Sequence, residues 1–163
     1  MTEQDFSKAS PEDASELAEM VRELAASEGK RNTGELSAEK VADWLCQDPP
    51  AFEALLAGPP RNRQGYIAFY RAFSLFRGGP VLLVENLYIR PSARGSGLGR
   101  QLLKQASAHA VAQGIDRVEL NVRSNNPDTI AFYQRCGFHP PGEEVFRIEG
   151  AALRDFAGKD TDS

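Results

Sequence analysis

From Tyr88 to Arg100 the chain reads Tyr-Ile-Arg-Pro-Ser-Ala-Arg-Gly-Ser-Gly-Leu-Gly-Arg, with glycines at 95, 97 and 99. An apolar, β-prone run from Val81 to Ile89 precedes this turn, and Leu98, Leu102, Leu103, Ala106 and Ala110 follow it at helical spacing. A strand therefore leads into a glycine-rich turn that opens a helix. Glycines let the backbone turn sharply and aim successive N–H groups at one point, where the helix N-terminus adds the positive end of its dipole. The chemistry such a turn supports is the binding of a phosphate or pyrophosphate. A P-loop is excluded, because no Gly-Lys-Ser or Gly-Lys-Thr closes the turn. A dinucleotide-binding turn would be Gly-x-Gly-x-x-Gly directly after its strand, whereas this one is Gly-x-Gly-x-Gly and trails the strand by several residues. A glycine turn with no ligand is the bland alternative.

Other reactive side chains are sparse. His109 falls on the polar side of its helix and His139 in a proline-rich turn, with no histidine or cysteine partner at ligand spacing, so no metal site is expected. Cys46 and Cys136 are too few for a disulfide framework, and Cys136 precedes a helix-ending glycine rather than opening a helix, which makes it a poor nucleophile. With 41% hydrophobic and 26% charged residues, the 163-residue chain suits one globular domain spanning 1–163. A net charge of −4 gives no electrostatic reason to bind nucleic acid or an anionic membrane. The polar start, Met1 to Ser10, and the lack of any eighteen-residue apolar run point to a cytoplasmic protein, neither secreted nor inserted.

The elements that position the turn follow from punctuation and period. Ser10-Pro11 opens a helix with Leu17, Val21 and Leu24 on one face, ended by Gly29. A second helix runs from Ser37 until Pro49 and Pro50 forbid it, with Glu28 to Glu35 as loop between the two. Gly65–Phe73 and Val81–Ile89 read as adjacent antiparallel strands. After the glycine turn come a helix to Gly114, a strand over Val118–Val122, a helix from Asn126-Pro127 to Gly137, and a last strand, Val145–Ile148, before a polar tail. Helices first, then strand, strand, helix, strand, helix, strand describe an α+β or α/β sheet with one strand-helix-strand crossover.

Arg94-x-x-Gly97-x-Gly99 after a strand resembles the acyl-CoA pyrophosphate motif of the GNAT superfamily of N-acetyltransferases. Asn126-x-x-Thr129-Ile130-Ala131-Phe132-Tyr133-x-x-x-Gly137-Phe138 resembles that superfamily's second signature. Similarity to the spermidine/spermine (diamine) and thialysine N-acetyltransferase branch extends through Arg22-Glu23-Leu24-Ala25, Gly65-Tyr66-Ile67-Ala68-Phe69-Tyr70 and Val145-Phe146-Arg147-Ile148, covering a core of about 10–156. The resemblance implies the GNAT acyl-CoA N-acyltransferase fold, a mixed, mostly antiparallel sheet flanked by helices. It implies an acetyl-CoA-dependent N-acetyltransferase acting by direct ternary-complex transfer on a primary amine of a small molecule, such as a diamine, polyamine or amino acid-like compound. Acetylation of protein amino groups and non-catalytic acyl-CoA binding are the alternatives.

The same resemblance assigns roles. The pantetheine arm would dock on the backbone of Leu87, Tyr88 and Ile89, and the pyrophosphate on Arg94, Gly95, Ser96, Gly97, Leu98, Gly99 and Arg100. Asn126 would touch the cofactor or simply cap its own helix. Tyr133, a core aromatic by spacing alone, matches the tyrosine that protonates the CoA sulfur. Glu85 would order the water that takes the amine proton or pair with the ammonium. Ser74 and Asn86 stand where the branch has carboxylates that help hold polycations, so only Glu85 remains of that set. The branch also implies a homodimer.

Overall fold

The computed structural model describes residues 6–30, 36–142 and 147–158. The chain divides into two compact units, Met1–Arg123 and Ser124–Ser163. The first unit holds a five-stranded sheet in sequence order, β1 Phe6–Lys8, β2 Glu53–Ala57, β3 Gly65–Ser74, β4 Gly79–Ile89 and β5 Val118–Leu120. Pairing is antiparallel from β1 through β4 and parallel between β4 and β5. The parallel pair requires a crossover, and α3, Leu98–Ala112, supplies it.

Helices cover both faces of the sheet. α1, Ala14–Ser27, and α2, Ala38–Cys46, lie on one face, where Leu17, Met20 and Val41 bury themselves against Leu56, Tyr66, Ala68 and Tyr88. The opposite face meets α3, whose Leu102, Ala106 and Ala110 are fully buried and whose His109 ring lies 5.2 Å from that of Phe69. Alternation along β3 sorts its residues between the two layers: Tyr66 and Ala68 face α1, while Ile67 and Phe69 face away from it. Beyond Phe69, β3 outruns β2, and the hairpin it forms with β4 carries the exposed apolar side chains Phe73, Leu75 and Phe76.

The two central strands and the crossover helix lie as the sequence predicts. Two strands were not expected. β1 is three residues long, and β2 reads Glu-Ala-Leu-Leu-Ala, residues that favour helix and become a strand because the sheet offers partners on both sides. The strand predicted over Val118–Val122 stops at Leu120. In the second unit, α4 spans Pro127–Arg135 as expected, and α5, Gly150–Gly158, occupies the predicted polar tail. Of the predicted last strand, Val145 and Phe146 lie outside the described residues, and Arg147 and Ile148 have no regular structure. Among the described residues no helix is long and apolar enough to cross a membrane.

Gly65 shows how tightly β3 and β4 approach. A Cβ there would sit 2.6 Å from the Tyr88 carbonyl oxygen and 3.3 Å from the Ile89 Cα, backbone atoms that cannot rotate away. Gly65→Ala is therefore expected to destabilise the protein by about 1–3 kcal/mol through forced strand displacement, read as a lower urea midpoint with an unchanged m-value.

Candidate active site

β4 carries an irregularity at the residue singled out from the sequence. Ala68 pairs with Asn86 and the next residue, Phe69, with Val84, so Glu85 is an extra residue opposite no partner: a β-bulge. Consecutive side chains of a regular strand point to opposite faces. The bulge breaks that rule, and both Glu85 and Asn86 line one cleft, of about 260 Å³, between the sheet and α1 and α2. Its walls are apolar and aromatic, including Val21, Val41, Trp44, Tyr66 and Tyr70. Asn86 is held there: its amide donates to the Glu85 carbonyl at 2.8 Å and its oxygen accepts from the buried Tyr66 hydroxyl at 3.3 Å. Burial, with the nearby Glu28 and Glu85 carboxylates, pushes the Tyr66 phenol well above its ordinary range, so it stays a donor. The Glu85 carboxylate is exposed at the rim.

The same strand offers its backbone on the other side. β5 pairs only with Leu82, Leu83 and Val84, and among the described residues no strand continues along that edge of β4. Arg90 donates its N–H to Gln64 at 2.9 Å, and antiparallel ladders alternate, so Leu87 and Ile89 direct their N–H and C=O groups away from β3 toward this open edge. The Ile89 carbonyl accepts from Arg94 Nε at 3.1 Å, consistent with that direction. The aliphatic chain and amides of a pantetheine arm fit such an edge as an added strand would.

Arg94 then enters the glycine turn. Gly95 and Gly97 have φ of +78° and +81°, and a Cβ on either would meet nothing within 4 Å, so the space before the turn is open. Gly97 is the N-cap of α3, and the first helical hydrogen bond runs from Gln101 N–H to Gly97 C=O at 3.1 Å. The N–H groups of Leu98, Gly99 and Arg100 thus have no acceptor within the helix. Leu98 is buried and anchors the turn, Ser96 Oγ donates to the Ala93 carbonyl at 2.7 Å, and Arg100 is exposed beside the free amides. Amides, helix dipole and cation together suit a pyrophosphate.

Tyr88 contributes its backbone to this strand, but its side chain has a different task. Its hydroxyl donates to Glu23 Oε2 at 3.0 Å, and Arg90 binds the same carboxylate through two bonds of 3.2 and 3.0 Å. Burial and the Glu23 hydrogen bond raise the Tyr88 phenol above its usual range. Arg90 also donates to the Arg63 carbonyl at 3.2 Å, and the buried Arg63 guanidinium meets Asp13 at 2.9 Å. These bonds tie α1 and the segment before it to the β2–β3 connection and the end of β4.

Asn126 and Tyr133 belong to the second unit. Asn126 caps α4, its Oδ1 accepting from Thr129 N–H at 3.2 Å, which is the simpler of its two expected roles. Tyr133 packs edge-on against Phe132 and Phe138, with ring centroids 5.1 and 5.8 Å away. Burial, helped by Cys136, pushes its phenol up to about 12. The sequence-predicted residues Glu85 to Arg100 thus share one strand, turn and helix in the first unit. Missed by the sequence reading were the bulge itself and the cleft aromatics. The spacing of Tyr66, Ala68 and Tyr70 on one face of β3 was their only signal. Among the described residues, no three His, Cys, Asp or Glu side chains are grouped to hold a metal ion.

The profile of the Acetyltransferase (GNAT) family matches residues 17–138, three quarters of the chain, including β4, the glycine turn and α4. The chain belongs to this family. It is 33% identical over 151 residues to a thialysine N-epsilon-acetyltransferase of Caenorhabditis elegans, covering 90% of this chain and 92% of the relative. To the enzyme of the same name from Sus scrofa it is 29% identical over 159 residues, covering 90% and 93%. Among solved structures, an integron cassette protein from the mobile metagenome of V. cholerae superposes with a TM-score of 0.78 at 20% identity, over 97% of this chain and 99% of that one, which shows the shared fold. The GNAT chain is accordingly an acetyltransferase, and its family uses acetyl-CoA as donor.

Gly97→Val is expected to weaken CoA binding by about 10-fold or more. A β-branched side chain is strained at φ +81° and would stand in the open space where a phosphate is expected. Isothermal calorimetry on a variant with wild-type circular dichroism checks this.

Proposed function

We propose that this GNAT enzyme transfers the acetyl group of acetyl-CoA directly to the primary amine of a small molecule, without a covalent enzyme intermediate. The observation that carries the reading is the bulge at Glu85, where one strand offers a carboxylate at the rim of a cleft on one face and, among the described residues, unpaired backbone groups along its edge. Acetyl-CoA supplies a thioester, whose carbonyl an amine attacks. The relatives named for thialysine, a small amine, support a small-molecule acceptor. A cleft of about 260 Å³ walled by helices suits that class better than a protein amino group, which would call for a broad open groove.

An ammonium of pKa about 10.4 must lose a proton before it attacks, and a departing thiolate of pKa about 8.5 must gain one. Glu85 serves the first need, by pairing with the ammonium or ordering the water that accepts its proton. Tyr133 serves the second. With its phenol at about 12 it is protonated throughout the neutral range and acts as a hydrogen-bond donor to the developing thiolate. The backbone of Leu87 and Ile89 and the amides from Gly95 to Arg100 hold the donor, and Asn126 keeps α4 capped. A cytoplasmic homodimer is the proposed state, on the strength of the same family branch.

Tyr133→Phe keeps the ring and deletes the donor, so kcat is expected to fall by roughly 10²-fold while acetyl-CoA affinity is unchanged. Because burial pushes the phenol up to about 12, the variant should share the wild-type basic limb of the pH profile below about pH 10; full turnover would assign thiolate protonation to solvent. Glu85→Gln is expected to raise the acceptor KM if the carboxylate binds ammonium, or to move the acidic limb if it orders the base water. An amine panel followed by thiol release, spanning polyamines, lysine analogues, aminoglycosides and peptides, tests the acceptor class. Turnover of peptides alone would move it to protein amino groups. Light scattering tests the dimer, and a concentration-independent monomer mass with full activity would refute it.

A further inference from the structure

The cleft holds more information about the acceptor than its size. Among the described side chains that line it, Glu85 is the sole acidic one, and it stands at the rim. Asn86, placed beside it by the bulge, is neutral, and both ends of its amide are engaged, by the Glu85 carbonyl and the Tyr66 hydroxyl. Two acidic side chains on or just after α1 have other partners. Glu23 is taken by Tyr88 and Arg90, and Glu28 pairs with Lys30 at 2.7 Å. Behind the rim lie Val21, Val41, Trp44, Tyr66 and Tyr70, presenting carbon and ring faces.

On the reading that a small amine is acetylated here, we infer that the acceptor is a monocation: one primary ammonium at Glu85 and an uncharged apolar or aromatic body in the cleft. A second ammonium on the same molecule would have to leave water for a wall of carbon where no carboxylate among the described residues meets it, a strongly unfavourable transfer. An aliphatic or aromatic body there gains the hydrophobic term and contact with the ring faces. The volume, below that of drug-sized sites, limits the body to a few carbons or a single ring system. Neutral Asn86 is the residue that sets this selectivity, because it occupies the position from which a second carboxylate would reach the same space.

The test compares amines that differ only at the far end: pentylamine against 1,5-diaminopentane, with phenethylamine as the aromatic case. The inference expects kcat/KM for pentylamine and phenethylamine to exceed that for the diamine by about 10-fold or more. Trp44 is the chain's single tryptophan and lines the cleft, so its emission gives a binding readout independent of turnover. With CoA present, pentylamine should shift that emission saturably at a concentration about 10-fold below the diamine. Asn86→Asp should narrow or invert the ratio of the two kcat/KM values, and the wild-type comparison stands even if this variant fails to fold. Equal or better use of the diamine, or emission blind to both amines, would overturn the monocation assignment while leaving small-amine acetylation intact. Acetylation of peptides and of none of the small amines would instead remove the reading on which the assignment rests.

Discussion

A strand in the middle of a sheet normally spends its backbone groups on two neighbours, and β4 does so only for Leu82, Leu83 and Val84. Beyond that point it stays bonded to β3 and leaves β5 behind. The extra residue at Glu85 falls at this divergence, and a bulge sharpens local twist and bend. The same residue therefore does two things: it turns a carboxylate and an amide together into the α1 side of the sheet, and it marks where, among the described residues, β4 loses its second neighbouring strand. The proposed donor and acceptor surfaces are thus set by one register shift.

The charged network around α1 complements that arrangement by removing competitors. Glu23 could serve an acceptor amine, yet Tyr88 and Arg90 hold it. Arg90 in turn reaches the Arg63 carbonyl, and Arg63 is held by Asp13 and the Gly58 carbonyl. Burial works against the ionised Asp13 carboxyl, but the Ser10 N–H, the Arg63 guanidinium and the Ser10 hydroxyl more than offset it and keep its pKa below the ordinary value. Its contribution to stability is thus present at neutral pH and lost as the pH falls through that lowered value. Removing one member of a buried pair is far costlier than its net contribution suggests, so these arginines hold α1 against the ends of β3 and β4 while leaving the cleft almost uncharged.

Much of this was legible in the residues. Gly95 and Gly97 after an apolar strand gave the turn, because only glycine relaxes at φ near +80°, and helix periodicity starts at Leu98. Asn126 before Pro127 gave its helix and its cap. β2 was illegible, since Glu53-Ala54-Leu55-Leu56-Ala57 has helix-forming residues and no alternation, and its strand state comes from neighbours distant in sequence. The bulge left only a faint trace: Val-Glu-Asn-Leu sets two polar residues side by side and so breaks alternation, but the register on β3 that makes Glu85 the extra residue slips between Ala68 and Phe69, distant in sequence. The cleft beside Glu85 depends on that slip, which is why the residues alone pointed to Glu85 but not to its apolar surroundings.

The start of α3 has a thermodynamic consequence of its own. Glycine at the N-cap has no side-chain oxygen to satisfy the first amides, so this helix lacks the local cap that Ser37 gives α2 and Asn126 gives α4. At the proposed donor site an anionic ligand would take the place of the missing side chain, and whatever binds only the folded chain stabilises it by mass action, about 2.7 kcal/mol at a hundred times Kd. On that proposal the protein's resistance to unfolding is coupled to the supply of its own acetyl donor, and the first turn of α3 is where the coupling enters the fold.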